Sequence, residues 1–284
     1  MSTPPAPCSR TTADPRTTAD PRTTARSRRR LVATLVGLVA LAAPFGAAAC
    51  GSSAPSSAAP PASEAGRPGA PDASSTTADG ATHVARPTHA GVEVHAEATT
   101  SSPVIATIAL TTSLGSPTTL LVLDHGTSDG DEQWVQVALA ARPNGSEGWI
   151  HADDVTEQVD DMAVEVDLHD HVMRVTRGGQ LAVETPVAVG ADATPTPTGR
   201  FYVTDVLDTG KPNGAYGPFA LGLSAHSDVL DQFAGGDGQI GIHGTNEPSS
   251  IGTSASHGCV RVPNEVITAL AGNVPLGTPV TITA

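Results

Sequence analysis

The sequence from about residue 83 to the C-terminus predicts a mainly β protein made of two β-rich units. Short runs in which apolar residues alternate with polar ones recur along this stretch, separated by glycine- and proline-rich turns. The stretch is about 200 residues long, which is enough for two small domains. Two short helices are also predicted, one at residues 227–233 and one that begins at Pro263.

The first unit, residues 83–157, is predicted to be a small β-barrel-like module. Trp134 and Trp149 either line a ligand groove or belong to the core, and tryptophans are more often found in a core. The predicted strands and the turn among them lie at residues 92–94, 104–108, 119–123, 134–137, 142–145 and 148–150.

The second unit, residues 161–284, begins with apolar and acidic residues that alternate along residues 162–168. A hairpin is expected at Gly178-Gly179. The loop at residues 208–222 is rich in glycine and proline and contains Tyr216. This composition fits either a lid or substrate wall, or an ordinary surface loop.

Residues 1–50 are typical of an export signal that ends in a lipidated cysteine. Seven arginines precede an apolar block at residues 31–45, which is short for a membrane span and has the length of a signal-peptide core. Ala47-Ala48-Ala49-Cys50 resembles a bacterial lipobox, although leucine is the usual residue at position 47. We therefore expect Cys50 to be lipidated and to anchor the protein at the outer face of the cytoplasmic membrane. An ordinary signal cleavage site is the alternative, and the export route stays open because residues 27–32 also resemble a twin-arginine signal.

Residues 51–82 predict a disordered tether, because serine, alanine, proline, glycine and threonine dominate and large apolar residues are scarce. Without the leader the chain keeps 8 of its 15 basic and 27 of its 29 acidic residues, so its formal charge is 8 − 27 = −19. Such an acidic chain has no electrostatic footprint for nucleic acid or for anionic lipid.

A thiol and two imidazoles lie close together in the sequence near the C-terminus. Cys259 is the one cysteine beyond Cys50, so in an exported chain it has no partner for an intramolecular disulfide. His243 lies upstream, and His257 and Gly258 directly precede the cysteine. A thiol with imidazole neighbours and a tight glycine turn has the groups that acyl transfer through a thioester requires.

Metal binding fits these residues poorly, and no metal and no cofactor are expected. His169 and His171 are one residue apart, so on a strand they would point to opposite faces, and an exposed turn is expected there instead. A zinc site made of His243, His257 and Cys259 would crowd two ligands into one turn and would have no carboxylate base nearby.

The longer segment I-H-G-T-N followed by S-A-S-H-G-C-V-R-V, at residues 242–262, resembles the signature of the L,D-transpeptidase (YkuD-type) family. The segments at residues 194–201 and 276–280 are similar to that family too, and the resemblance covers about residues 162–284. It implies a β-sandwich-like catalytic domain with short helices. The first unit more loosely resembles a bacterial Src-homology-3-like module of cell-wall proteins.

The resemblance implies a reaction on peptidoglycan stem peptides. Cys259 aligns with the nucleophile that releases D-alanine from a tetrapeptide donor, and a diamino acid amine on a neighbouring stem would be the acceptor. His243 aligns with the base, and Gly244 with a backbone carbonyl that orients it. Because a neutral carbonyl holds an imidazolium weakly, a thiolate–imidazolium pair is expected to form only in part. The family's thioester chemistry also implies acylation by carbapenems.

The remaining site residues are expected around this pair. His257 is expected to position the substrate or the turn, and N–H groups around Gly258 and Cys259 are the expected oxyanion donors. Arg261 either binds a substrate carboxylate or braces the loop through an acidic residue. The other predicted substrate-binding residues are Ser256, Tyr216 and Asn246, and the Ser256 hydroxyl is also expected to hydrogen-bond within the turn.

Two further functions remain as alternatives to the transpeptidase. One is a cell-wall-binding lipoprotein without catalytic activity, and the complete set of His243, His257 and Cys259 argues against it. The other is a thiol L,D-carboxypeptidase or amidase, in which water would replace the amine acceptor.

Overall fold

The structure is a computed structural model that describes residues 80–127, 130–232 and 236–284. The predicted signal, the lipidation at Cys50 and nearly all of the predicted tether at residues 51–82 lie outside these ranges. Among the described residues, no helix is long and apolar enough to cross a membrane. The prediction of a mainly β protein is confirmed.

The first sheet contains seven strands within the described residues. They are β1 (Thr82–Pro87), β2 (Val92–His95), β3 (Val104–Ile108), β4 (Leu120–Thr127), β5 (Gln133–Ala138), β6 (Glu147–His151) and β7 (Val155–Asp160). Their order is β3-β2-β6-β5-β4-β1-β7, and every pairing is antiparallel. Antiparallel neighbours need only short connections, in keeping with the closely spaced turns in the sequence.

Trp134 belongs to the core of this sheet. Its side chain is 1% exposed, and its ring packs edge-on between His95 and His151 at centroid distances of 5.2 and 5.4 Å. Trp149 is half-buried on the neighbouring strand β6. Trp134 is therefore a core residue of this sheet.

The second sheet also contains described strands that are mostly antiparallel. They are β8 (Met162–Asp167), β9 (Val172–Arg177), β10 (Gln180–Pro186), β12 (Gly199–Asp208), β13 (Phe219–His226), β14 (Gln239–His243), β16 (Val260–Arg261) and β17 (Pro279–Thr283). The order is β10-β9-β8-β17-β12-β13-β14-β16, and a separate pair joins β11 (Val189–Gly190) to β15 (Ser254–Ser256). The predicted hairpin at Gly178-Gly179 connects β9 to β10.

The alternating pattern of β8 places Met162, Val164 and Val166 in the core, while Glu165 faces solvent. After β8 the chain turns at residues 168–171, where His169 is exposed as predicted. The helix α1 (Asn264–Ala271) begins directly after Pro263 and buries two apolar side chains, and the prediction for this segment is confirmed.

The short helix predicted at residues 227–233 is wrong for residues 227–232, which form bends without a helix; residue 233 lies outside the described ranges. The carbonyl groups of Ser227 and Leu230 accept hydrogen bonds from the guanidinium group of Arg142, on the connection between β5 and β6. The N–H of Ser227 donates to the carbonyl of Gly238. Long-range partners thus pair with this backbone, including the Ser227 carbonyl that a helix would have paired locally.

Two close approaches join the sheets. Tyr202 of β12 is 1% exposed and packs in the core cluster of the first sheet, together with Leu120 and Leu139. Gly277, just before β17, lies so near the first sheet that a Cβ atom there would be 2.6 Å from Val84 Cγ1 and 2.9 Å from Thr119 Cγ2. The sheets therefore share packed side chains.

Candidate active site

Parallel pairing of two strand ends brings the predicted base and nucleophile together. His243 is the last residue of β14, and Cys259 directly precedes β16. The two strands pair in parallel, with Ile242 opposite Val260 and His243 opposite Arg261. Residues separated by sixteen positions in the chain therefore meet at one edge of the second sheet, and both line the same two cavities.

His243 is buried and oriented by its own loop. Its side chain is 5% exposed, and its Nδ1 lies 2.5 Å from the carbonyl oxygen of Gly244. Because a carbonyl can only accept, Nδ1 carries the proton and Nε2 keeps a lone pair that can accept one. Burial lowers the pKa of His243 to about 4, against the effect of the Gly244 carbonyl, and the Arg261 charge lowers it further. The imidazole is therefore neutral at neutral pH.

Cys259 is a free thiol held in the same apolar surroundings. Burial raises the pKa of the Cys259 thiol, while a backbone hydrogen bond at Gly241 and the charge of Arg261 act in the opposite direction. A raised thiol pKa beside a lowered imidazole pKa favours the neutral pair over thiolate and imidazolium. The site thus places a neutral thiol beside a neutral imidazole that can accept a proton.

The nucleophile lies in a turn that Ser256 closes. The Ser256 hydroxyl donates to the Cys259 carbonyl at 2.5 Å and accepts the N–H of Gly258 at 3.0 Å. Gly258 has a φ of +119°, and a Cβ atom there would lie 2.9 Å from Ile240 Cδ1, so glycine is required. The Ser256 hydroxyl is thus used within the turn, and the Gly258 N–H is already engaged. The N–H of Cys259 is left as the candidate oxyanion donor.

A second segment that was not assigned to the site from sequence supports this turn from behind. The Thr196 hydroxyl donates to the Gly258 carbonyl at 2.8 Å and accepts the Gly190 N–H at 2.8 Å. The Thr194 hydroxyl donates to the Ser256 carbonyl at 3.3 Å. The run at residues 194–198 is rich in threonine and proline, but its sequence does not indicate which backbone groups these hydroxyls meet.

Asn264 holds the loop that follows the base. Its side-chain oxygen accepts the N–H of Thr245 at 2.7 Å, and a Cβ atom on Gly244 or on Gly217 would overlap with that oxygen. Asn246, predicted as a substrate-binding residue, is exposed and lines neither of the two cavities at Cys259. The role of Asn264 was not predicted from sequence, because its contact with Thr245 spans nineteen positions.

Two cavities meet at the reactive pair. The larger has a volume of about 620 Å³ and the smaller about 240 Å³, and Tyr216, His243 and Cys259 line both. The ring of Tyr216 is 38% exposed and tilted against the imidazole of His243 at a centroid distance of 4.7 Å. Burial, followed by the nearby Cys259, raises the pKa of Tyr216, so its hydroxyl stays protonated. Tyr216 thus borders both cavities beside the imidazole.

His257 and Arg261 line the smaller cavity. His257 is exposed at its rim. The Arg261 guanidinium lies 3.0 Å from a carboxylate oxygen of Glu247 and 3.4 Å from the Ser250 hydroxyl. The geometry favours the brace among the two roles considered for Arg261, although the side chain still borders the cavity.

One group of three described side chains has ligand atoms close enough together to hold a metal ion. They are His83, His125 and Glu157, on three strands of the first sheet, and their ligand atoms lie within 4.8 Å of one another. His243, His257 and Cys259 do not form a second such group among the described residues. The geometry therefore gives no support to a zinc hydrolase at the cysteine.

A comparison with protein-family models finds a match for the part of the chain that forms the second sheet. Residues 161–282 match the YkuD family model, the L,D-transpeptidase catalytic domain. The match contains His243 and Cys259, and it begins directly after β7, the last strand of the first sheet. A catalytic domain of L,D-transpeptidase type is thus supported for this part of the chain.

Relatives with provisional L,D-transpeptidase names match part of this chain. YkuD of Bacillus subtilis is 42% identical over 97 residues, and YkuD of Bacillus licheniformis is 37% identical over 120 residues. These matches cover 34% and 42% of this chain, and 51% and 64% of the relatives' own lengths. Among solved structures, an L,D-transpeptidase from Enterococcus faecium is 29% identical, with a TM-score of 0.34, and the match covers 44% of this chain and 50% of that one.

Proposed function

We propose that this protein is a cysteine-dependent peptidoglycan L,D-transpeptidase that joins the third-position residues of two stem peptides. The observation that carries the proposal is the neutral, buried His243, whose Nδ1 is held by the Gly244 carbonyl while Cys259 shares its cavities. This arrangement supplies a base with a free lone pair and a thiol whose proton it can take.

The first half-reaction would form an acyl-enzyme. The Cys259 sulfur attacks the carbonyl carbon of the third residue of a tetrapeptide stem, and its proton passes to Nε2 of His243. The N–H of Cys259 would stabilise the resulting oxyanion. The bond to the terminal D-alanine then breaks, the imidazole returns the proton to the departing amine, and a thioester remains on Cys259.

The second half-reaction would transfer the acyl group. The side-chain amine of a diamino acid on a neighbouring stem attacks the thioester in its neutral form, and His243 takes one proton from the nitrogen. The carbon–sulfur bond breaks as the proton returns to sulfur. The product is an amide between two third-position residues, and the enzyme recovers its neutral pair.

Replacement of the nucleophile tests this proposal. Cys259→Ala is expected to abolish dimer formation from a purified disaccharide-tetrapeptide, because no thioester can form. Wild type should gain the mass of one carbapenem in intact-mass spectrometry, and Cys259→Ala none. Cys50→Ala serves as the matched control, since it removes a cysteine and should keep both the adduct and the dimer.

The products distinguish the alternatives. Dimer from Cys259→Ala would rule out the covalent route. A tripeptide without dimer would identify water as the acceptor and so a thiol carboxypeptidase. Wild type that neither reacts with a carbapenem nor changes the tetrapeptide would leave a non-catalytic wall-binding protein.

We further propose that residues 1–50 direct export and that a lipid on Cys50 anchors the protein to the outer face of the cytoplasmic membrane. The sequence of the leader and its small residues before Cys50 support this location. In cell fractionation, Cys50→Ala should move the protein from the membrane to the soluble fraction. Retention of the variant would point to an uncleaved leader as the anchor.

A further inference from the structure

The larger cavity at Cys259 has walls from both sheets. Most of its lining comes from the second sheet, but Ser113 and Leu114 come from the connection between β3 and β4 of the first sheet. Leu114 is 49% exposed, and its apolar side chain lines this cavity. The family match at residues 161–282 does not include this wall.

The loop that carries Leu114 is built to hold its position. The Thr112 N–H donates to the Ser116 carbonyl at 2.8 Å, and Gly115, with a φ of +91°, makes the tight turn between them. The Thr112 hydroxyl donates to a carboxylate oxygen of Asp205 on β12 at 2.5 Å. The loop is thus fastened to the second sheet beside the cavity it lines.

Another part of the cavity lining is also held by the first sheet. Asp237 and Gln239 line it, and the Asp237 carbonyl accepts a hydrogen bond from the Arg142 guanidinium at 2.9 Å. Asn144 makes two hydrogen bonds with the backbone of His226, at 2.7 and 2.9 Å, where the same wall leaves β13. Arg142 and Asn144 are therefore positioning residues for this wall.

The two cavities differ in charge. Among the described residues that line the larger one, Asp237 is the only Asp, Glu, Lys or Arg, and its side chain is 71% exposed. Among the described residues that line the smaller cavity, Arg261 is the only Asp, Glu, Lys or Arg. An ammonium group is stabilised near a carboxylate, and a terminal carboxylate near a guanidinium.

We propose that the larger cavity is the subsite for the acceptor stem and that the first sheet supplies its apolar wall through Leu114. This inference rests on the proposed transpeptidase function. The methylene chain of the diamino acid would lie between Leu114 and Leu207, and its amine would enter past Asp237 to reach the thioester. The donor stem, whose D-alanine ends in a carboxylate, would occupy the side of Arg261.

The experiment separates the two half-reactions in the full chain. Acylation by a carbapenem needs no acceptor, whereas cross-linking of a fixed tetrapeptide donor to a varied disaccharide-tripeptide gives the KM for the acceptor. Leu114→Ser is expected to raise that KM about fivefold or more through lost apolar contact, and to leave the acylation rate unchanged. Leu110→Ser is the matched control, because Leu110 lies near the same turn, is 46% exposed and lines neither cavity at Cys259. Asp237→Asn should raise the acceptor KM as well, and less so at high salt.

Two outcomes would overturn this subsite while the transpeptidase stands. One is that wild type cross-links while Leu114→Ser and Leu110→Ser have the same KM for the acceptor. The other is slower acylation of Leu114→Ser with an unchanged acceptor KM, which would assign the cavity to the donor. If wild type is neither acylated by the carbapenem nor cross-links the stems, the proposed transpeptidase function is wrong, and the inference that rests on it is wrong too.

Discussion

At the scale of single residues, the site depends on a carbonyl where many cysteine enzymes use a carboxylate. The Gly244 carbonyl orients His243 but brings no negative charge to stabilise an imidazolium. Burial then lowers the pKa of His243 to about 4 and raises that of Cys259. The resting thiol is consequently protected from the premature oxidation to which thiolates are prone.

This pairing predicts the pH dependence of acylation. In the proposed reaction the neutral imidazole accepts the proton, and this form is lost when pH falls through the pKa of His243, at about 4. The second-order rate constant for carbapenem acylation should therefore be flat between about pH 5.5 and 7, and should fall roughly tenfold per unit below about pH 4. Stopped-flow or mass-spectrometric acylation across this range measures it. An inflection near pH 6.5, the value of an ordinary imidazole, would contradict the prediction.

His243 and Cys259 could be predicted to lie together from sequence because they belong to one short signature, and the structure places both at the same two cavities. The supporting residues could not, because their contacts are long-range. Thr196 reaches Gly258 across sixty-two positions, and Asn264 reaches Thr245 across nineteen. No local pattern indicates which hydroxyl or amide will meet a given backbone group after folding.

At the scale of elements, local patterns predict strands and hairpins well and fail where distant groups compete. The alternating run of β8 and the helix start at Pro263 are both found where expected. The segment at residues 227–232 is not a helix, since Arg142 and Gly238 pair its backbone instead. Arg142 gave no signal in the sequence, because an exposed arginine on a turn is usually solvated.

The turn before β17 gives a prediction about the contact between the elements. Gly277→Ala is expected to lower the free energy of unfolding by about 1–3 kcal/mol, because φ is +90° and the new methyl group would press on Val84. Gly272→Ala is the matched control, since its φ is −87° and the nearest atom to its Cβ is 3.8 Å away. Denaturant titration of both variants measures the difference. Equal midpoints would show that the close approach at Gly277 is absent in solution.

At the scale of the whole molecule, the first sheet supports the catalytic sheet through Arg142. Its guanidinium donates to three carbonyls of the segment that borders the larger cavity, those of Ser227, Leu230 and Asp237. Charge-assisted hydrogen bonds of this kind are stronger than neutral ones. The sequence predicts two units, and it contains no sign of this dependence of one on the other.

Loss of that support should loosen the segment without unfolding the protein. In Arg142→Ala, amide hydrogen exchange at residues 228–232 is expected to quicken by about tenfold or more, as the carbonyl partners are lost. Arg174→Ala is the control, because Arg174 pairs with Glu184 across the β9–β10 hairpin of the second sheet. Unchanged exchange in Arg142→Ala would mean that the segment holds itself.

The position of Tyr202 bears on how this chain can be divided. Tyr202 lies within residues 161–282, which match the family model, yet its ring packs in the core of the first sheet. An expression fragment cut at residue 161 would leave that aromatic ring, and the apolar surface around it, facing water. The segment that matches the family model is therefore shorter than the segment needed for a stable fragment. A recombinant fragment should begin no later than β1.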